Sequence, residues 1–122
     1  MFAVAQVSNI IIFSTYSFQV VTTLKGHSGI VKSLCWSEDD RYIVSAGHEG
    51  ALYEWEIDTV QDSAKSRKEN NVKACAFHSA AYDDKNHIIA AIGNDQKIWC
   101  FQKNEFMISV ECDSDLTAVS IF

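Results

Sequence analysis

Proline is absent from the 122 residues and glycine occurs only five times. A chain without proline keeps every backbone donor, which suits uninterrupted strands. So few glycines leave no glycine-rich phosphate loop, and GxSxG, HExxH and the HxE…PCxxC pattern of zinc deaminases are also missing. No catalytic residue is expected. No run approaches the eighteen or so apolar residues that span a bilayer. The N-terminal MFAVAQVSNIIIFST lacks a basic leader region, and Gln6, Ser8 and Asn9 interrupt its apolar character, so it reads as strand and not as a targeting signal. The four cysteines (Cys35, Cys75, Cys100 and Cys112) form no CxxC, and three lie within apolar strand patterns. That excludes a metal site of grouped ligands and points to reduced, cytoplasmic thiols; no metal and no cofactor are expected. Basic charge is scarce too. A net charge of −6 and a pI near 5.0 argue against a phosphate-binding surface, so neither nucleic acid nor membrane is expected as a partner.

What is present is concentrated in residues 24–58, LKGHSGIVKSLCWSEDDRYIVSAGHEGALYEWEID. Gly26-His27 opens the stretch, and Val31 to Trp36 alternate as a first strand. Glu38-Asp39-Asp40 make a polar turn before a second strand from Tyr42 to Ala46. Glu49-Gly50 supply a tight turn, and a third strand runs from Ala51 to Ile57.

The pattern recurs. VKSLCW (31–36) is echoed by VKACAF (72–77) and LTAVSI (116–121), which sets Trp36, Phe77 and Ile121 apart by 41 and 44 residues. ALYEW (51–55), KIWCF (97–101) and NIIIF (9–13) match likewise, with Phe13, Trp55 and Phe101 separated by 42 and 46. Two landmarks giving one period predict stacked supersecondary units. Residues 1–6 and 9–15 are expected to pair, with an outer strand over 18–24. The clear unit runs over 30–57. A further unit has strands near 72–78, 87–92, 97–102 and 106–111, and a new innermost strand is expected over 116–122.

The GH pair, the second-strand serine and the late tryptophan, at these spacings, resemble the WD-repeat family, whose units of about 40–45 residues build four-stranded propeller blades. The resemblance implies an all-β fold: a WD-repeat β-propeller segment of about three blades. The second to fourth strands of an incomplete blade would fall in 1–25, a clear blade in 26–71, a divergent blade in 72–112, and the first strand of a following blade in 113–122. Propellers close with four to eight blades. The chain is therefore expected to be a partial propeller: a fragment, a truncated gene model, or a split propeller whose remaining blades come from the same or another chain. Within 58–71 (DTVQDSAKSRKENN) an outer strand is expected, and Lys65, Arg67 and Lys68 read as protection of a sheet edge, as part of a disordered stretch, or as a partner-contact loop.

The resemblance also implies a structural hydrogen-bond network of His27, Ser45 and Trp55, with Glu49 where the family has aspartate. A buried imidazole needs partners for both nitrogens, and a hydroxyl, an indole NH and a carboxylate can supply them. The divergent unit has Asp95 in the turn but no preceding GH, and Phe101 replaces the tryptophan, so its network cannot be assembled. His48, in a turn, is a candidate partner contact. Tyr53, Trp99 and Phe106 are expected to pack between blades. His78 and His87 flank a loop carrying Asp83 and Asp84, which reads as a solvated turn and not as a ligand set.

The SEDD turn and the ALYEW strand give a narrower likeness, to axonemal WD-repeat proteins of the cilia- and flagella-associated group. This likeness implies a non-catalytic protein-interaction scaffold, helping to place dynein arms or their regulators on doublet microtubules of the cilium or flagellum. Its partners would be axonemal or dynein-associated proteins. The alternative is a substrate-receptor or regulatory propeller subunit of an enzyme complex such as a ubiquitin ligase. A propeller enzyme would need converging carboxylates or histidines, which Val31, Ser33 and Cys35 on the innermost strand do not offer.

Overall fold

Alternation of apolar and polar residues over short runs, punctuated by polar turns, yields sheets. The computed structural model describes every residue except 59–62, 72–74, 84, 103–104 and 122, and only the backbone of 63–71. Its described residues form eleven strands in three antiparallel sheets. The first sheet contains β1 (Phe2–Gln6), β2 (Asn9–Phe13) and β3 (Val20–Lys25), in that order. The second contains β4 (Val31–Trp36), β5 (Tyr42–Gly47), β6 (Ala51–Asp58) and β7 (Ser63–Asn71). The third contains β8 (Phe77–Asp83), β9 (Ile88–Gly93), β10 (Lys97–Gln102) and β11 (Glu105–Glu111). Each sheet is a meander, so every connection within it joins adjacent strands.

The second sheet is buried on both faces. Ile43, Trp55 and Ile57 pack with Ile10, Ile12 and Leu24 of the first sheet. On the other face Val44, Ala46 and Leu52 pack with Phe77, Ala80, Tyr82, Ile89 and Phe101 of the third. This explains why β5 is apolar at successive positions: every residue from Ile43 to Gly47 is buried. A full Ile, Leu or Val side chain buried this way contributes about 1.5–3 kcal/mol, so the two apolar layers dominate stability. Backbone hydrogen bonds stitch the layers at one rim. Val31 donates to Val7 O across the first two sheets (2.7 Å), and His48 donates to Ile30 O (2.8 Å). The equivalent bond in the third sheet joins Asn94 N to Ala76 O (3.2 Å).

The third sheet departs from the sequence reading in its innermost strand. The expected partner of VKSLCW was VKACAF over 72–77, but β8 runs Phe77–Asp83. Register decides the correspondence. Val31 lies opposite Gly47 and Phe77 opposite Gly93, and both strands carry a bulge immediately afterwards. Val31 therefore corresponds to Phe77, and Trp36 to Tyr82, a spacing of 46 that equals the separation of Trp55 from Phe101. The physical cause is the anchor position: Phe77 fills the buried inter-sheet slot completely, and Cys75 packs just before the strand begins. Residues 112–121 form no strand, contrary to the expectation over 116–122. A strand needs a ladder partner, and this segment makes side contacts instead: Cys112 N donates to Gln96 O (2.8 Å) and Gln96 Nε2 to Asp115 Oδ1 (3.0 Å). The polar stretch after Asp58 does supply a strand, β7, in antiparallel register with β6.

Phe77 is the largest of the fully buried side chains. Truncation by Phe77→Ala should cost about 3–5 kcal/mol. Urea unfolding of the chain should show a lower midpoint at an unchanged slope.

Candidate functional site

The link Gly26–Ile30 carries the chain from β3, the outermost strand of the first sheet, to β4, the innermost of the second. Four side chains of the second sheet hold it. His27, whose side chain is wholly buried, faces Ser45 Oγ through Nε2 at 2.6 Å and Glu49 Oε1 through Nδ1. Trp55 Nε1 donates to the same Ser45 oxygen at 2.9 Å. Polarity fixes the direction of the chain: a carboxylate accepts, so Nδ1–H donates to Glu49. With the imidazole neutral, Nε2 accepts from the Ser45 hydroxyl, whose oxygen accepts from the indole. Tyr53 completes the clasp by donating to Gly26 O (2.9 Å), with its ring edge-on to His27 at 4.6 Å and stacked on Trp55 at 5.1 Å.

Glycine makes room for two of these approaches. A Cβ on Gly26 would meet the Trp55 ring at 2.9 Å, and one on Gly29 would meet the Glu49 carboxylate at 2.6 Å. The second contact explains how glutamate, one methylene longer than aspartate, is accommodated: its carboxylate folds over Gly29 and Gly47.

Serine, histidine and carboxylate in sequence have the connectivity of an acyl-transfer triad. Here the arrangement cannot act as one. Ser45 is fully buried beneath Trp55, and its oxygen already accepts the indole proton, so no substrate carbonyl can approach it. The network is a clasp.

The third sheet replaces this clasp with another. By register Ala91 stands where Ser45 does, Asp95 where Glu49 does and Phe101 where Trp55 does. Asp95 instead accepts from Trp99 Nε1 at 2.8 Å and from Lys97 N at 3.2 Å. Asn94 Oδ1 accepts from Ala76 N at 2.9 Å and so holds the preceding link. Cys75 lies beside Asp95, and burial first, then the Asp95 charge, pushes its thiol up to about 11. The tryptophan–aspartate bond escaped the sequence reading, which assigned Trp99 to packing alone. The signal was present in the D-x-x-x-W spacing across a tight turn.

The remaining candidates are scattered. His48 is exposed in the β5–β6 turn. Lys65, Arg67 and Lys68 lie on β7, and their side chains are outside the described residues. Lys68 stands opposite the buried Glu54 in the register. Asp83 caps its own turn, accepting from Lys85 N and from Asn86 Nδ2 (2.8 Å), and the Asn86 bond holds its carboxyl below the ordinary carboxylate range. His87 sits in that turn with its ring edge-on to Tyr82, and Asp84 lies outside the described residues. Among the described residues no group of three or more His, Cys, Asp or Glu could hold a metal ion. At the rim away from His27, a cavity of about 390 Å³ opens between the second and third sheets, lined by Trp36, Glu38, Tyr82 and Asp83 among others.

Comparison with known proteins agrees with this geometry. The sequence model of the family described as "WD domain, G-beta repeat" matches residues 18–56. Cilia- and flagella-associated protein 57 of Mus musculus is 38% identical over 98 residues, which is 80% of this chain and 8% of that protein. The U3 small nucleolar RNA-associated protein 18 homolog of Arabidopsis thaliana is 31% identical over 99 residues, 80% of this chain and 17% of that protein. The chain thus spans less than a fifth of either relative. Among solved structures, that of U3-55K superposes with a TM-score of 0.80 at 18% identity, covering 93% of this chain and 36% of that one. The last likeness shows the propeller fold.

Two outcomes are expected at the clasps. Ser45→Ala removes the partner of both His27 Nε2 and Trp55 Nε1, at a cost of about 1–3 kcal/mol for each group left buried, measurable by chemical unfolding. Because the folded Cys75 thiol titrates above its ordinary value of 9.0, its contribution is complete below that pH and is lost as pH rises through about 11. The difference in unfolding free energy between the chain and Cys75→Ala should therefore change between pH 9 and 11 and stay flat between pH 6 and 8.

Proposed function

We propose, from the premise that this chain is built of WD repeats folded as a β-propeller segment, that it serves as a non-catalytic protein-interaction scaffold of the ciliary axoneme. The observation that carries the reading is the 38% identity, over 80% of the chain, to a cilia- and flagella-associated protein. The buried clasp supports it from the chemical side, since the triad-like residues are sealed beneath Trp55 and serve geometry alone.

The mechanism is presentation. A sheet buried on both faces, as the second is, cannot shear past its neighbours without opening an apolar layer, so the turns between strands are held at fixed separations. A partner contacting two rims or an edge meets a surface already in its bound shape, with affinity resting on a few anchored aromatic or arginine side chains. In the axoneme such a scaffold would set the positions of dynein arms or their regulators on doublet microtubules. His48, Lys65, Arg67 and Lys68 are proposed as contacts at the periphery. Further blades, in the same or another chain, would cover the outer faces of the first and third sheets; residues 113–122 would lead into the next one.

A second reading follows from the nucleolar relative: assembly with a small nucleolar RNA complex. The acidic balance of the chain favours protein over RNA as the direct contact.

Localisation of the tagged full chain in ciliated cells separates the two. The expected outcome is retention in axonemes after detergent removes the ciliary membrane. Accumulation in nucleoli with none in the axoneme would replace the first reading with the second.

A further inference from the structure

Each sheet ends on an outermost strand, and the three are not alike. Among the described residues β3, β7 and β11 each have one ladder partner, so one edge of each carries backbone N–H and C=O groups outside the ladder. Such an edge is a template for a further strand unless charge or shape blunts it. In β7 the sequence supplies Lys65, Arg67, Lys68 and Glu69. In β3 it supplies Thr22, Thr23 and Lys25. β11 has no base, and four of its five residues between Glu105 and Glu111 are apolar.

That exposure is not one that further blades remove. A blade stacks on a face of a sheet and leaves its outermost edge open: β7 belongs to the sheet flanked on both sides, and it still pairs with β6 alone. Phe106 stands opposite Phe101 in the register, and Phe101 is buried against the second sheet, so Phe106 lies on the face that already has its neighbour. It is nevertheless 57% exposed, with its ring against Trp99 at 5.8 Å and Phe101 at 6.0 Å. Ile108 and Val110 stand opposite Cys100 and Ile98 on the other face, which a next blade would cover. A bulge leaves Met107 as the extra residue, and beyond it Ile108–Glu111 run in regular register, long enough to take a short added strand.

Charge selects the strand. Residues 104–122 carry the carboxylates of Glu105, Glu111, Asp113 and Asp115 and contain no Lys, Arg or His. Lys97, opposite Glu111, is the base on the neighbouring strand, and its ammonium lies over the Trp99 ring at 5.8 Å. A second copy of β11, paired symmetrically about Ile108, would set Glu105 against Glu111, and like charges directly opposite are destabilising. The β7 of a second copy would bring bases but, with Ala64 as its one apolar residue, little to cover Phe106. A strand with both properties fits the edge.

We propose that the outer edge of β11 receives, as a fifth strand of the third sheet, an extended segment of a partner protein in which basic and aliphatic residues alternate. Main-chain hydrogen bonds give the affinity, while Phe106 and the two glutamates select the sequence. This rests on the scaffold reading and names the surface it uses.

Hydrogen–deuterium exchange of the full chain, read over residues 105–111 with 20–25 and 63–71 as control edges, tests it. The probe is a synthetic peptide of about eight alternating valines and lysines, blocked at both ends. One companion has glutamate for lysine, and another carries N-methyl groups on every amide, which removes its main-chain donors. With the basic peptide at about ten times its dissociation constant, exchange over 105–111 should slow about tenfold, because the free fraction alone exchanges. The two companions should leave it unchanged, and the control edges should respond to none of the three. Phe106→Ser should weaken the basic peptide about two- to fivefold, and Glu105→Lys with Glu111→Lys should reverse the preference to the acidic one. Equal protection by the acidic peptide, protection that survives N-methylation, protection at a control edge or no protection overturns the proposal. Slowing that rises with the chain's own concentration, without peptide, shows copies pairing and overturns it as well. Axonemal retention answers separately. A chain that is retained but ignores the peptide loses the edge and keeps the scaffold; one that is not retained loses the scaffold together with the role proposed for its edge.

Discussion

Two-sided burial of the second sheet is the constraint on which the rest depends. A strand that shows apolar side chains on one face needs one neighbouring layer; β5, buried from Ile43 to Gly47, needs two. Ile43 looks toward Ile10 and Ile12, while Val44 and Ala46 look toward Phe77 and Ile89. Neither flanking sheet can be withdrawn without exposing half of that set. Each layer is worth several buried aliphatic side chains, at about 1.5–3 kcal/mol apiece. A hydrogen bond contributes about 0.5–1.5 kcal/mol net. Burial thus drives the stacking, and polar groups decide its register.

The two clasps show that division of labour. Both occupy the same place, where a link enters an innermost strand beside a tight turn, and both end on a turn carboxylate. In the second sheet the acceptor is reached through imidazole and hydroxyl; in the third an indole reaches it directly from a position two residues nearer the turn. Trp99 is the register equivalent of Tyr53, not of Trp55. The chemistry has been moved along the strand, and the link itself is pinned by the neighbouring turn residue, Asn94, whose Oδ1 accepts from Ala76 N. Such pinning matters more in a stack of sheets than in one closed core, because a slip of one residue would turn both faces of a sheet inside out.

Legibility in the sequence followed how many independent signals each element carried. The second sheet has GH, an alternating strand, an acidic turn, a buried serine and a late tryptophan, and its strands and His27–Ser45–Trp55–Glu49 contacts lie where those residues placed them. The third sheet offers fewer. VKACAF alternates as convincingly as VKSLCW, and Cys75 is indeed buried, but alternation alone cannot choose between a strand and the link before it. The spacing of 46 between Trp55 and Phe101 held the answer, since it transfers Val31 to Phe77. LTAVSI failed for a different reason. Its pattern is that of a strand, but ladder partners are a property of the assembly and not of the segment. The glutamate in place of aspartate looked like a weakness because the glycines that seat its carboxylate, Gly29 and Gly47, act through space and leave no periodic mark.

Separating what stabilises from what is displayed also accounts for the composition. The apolar layers use buried residues and the clasps draw on the β5–β6 and β9–β10 turns, so the β2–β3 and β4–β5 turns are released from any stabilising duty beyond closing. They have diverged accordingly: the β4–β5 turn is acidic, with the Asp39 carboxyl lowered below the ordinary carboxylate range by the Ser37 hydroxyl, whereas the β2–β3 turn is neutral and aromatic. Both lie at the same rim, since an antiparallel meander returns every second turn to the same side. One rim therefore presents a neutral apolar point and an acidic point at a separation fixed by the sheets between them. A flexible chain could carry the same two features, but it would lose entropy on fixing them, and here that loss has been taken at folding. Rigidity of the stack, more than any single contact, is what such a segment contributes to an assembly.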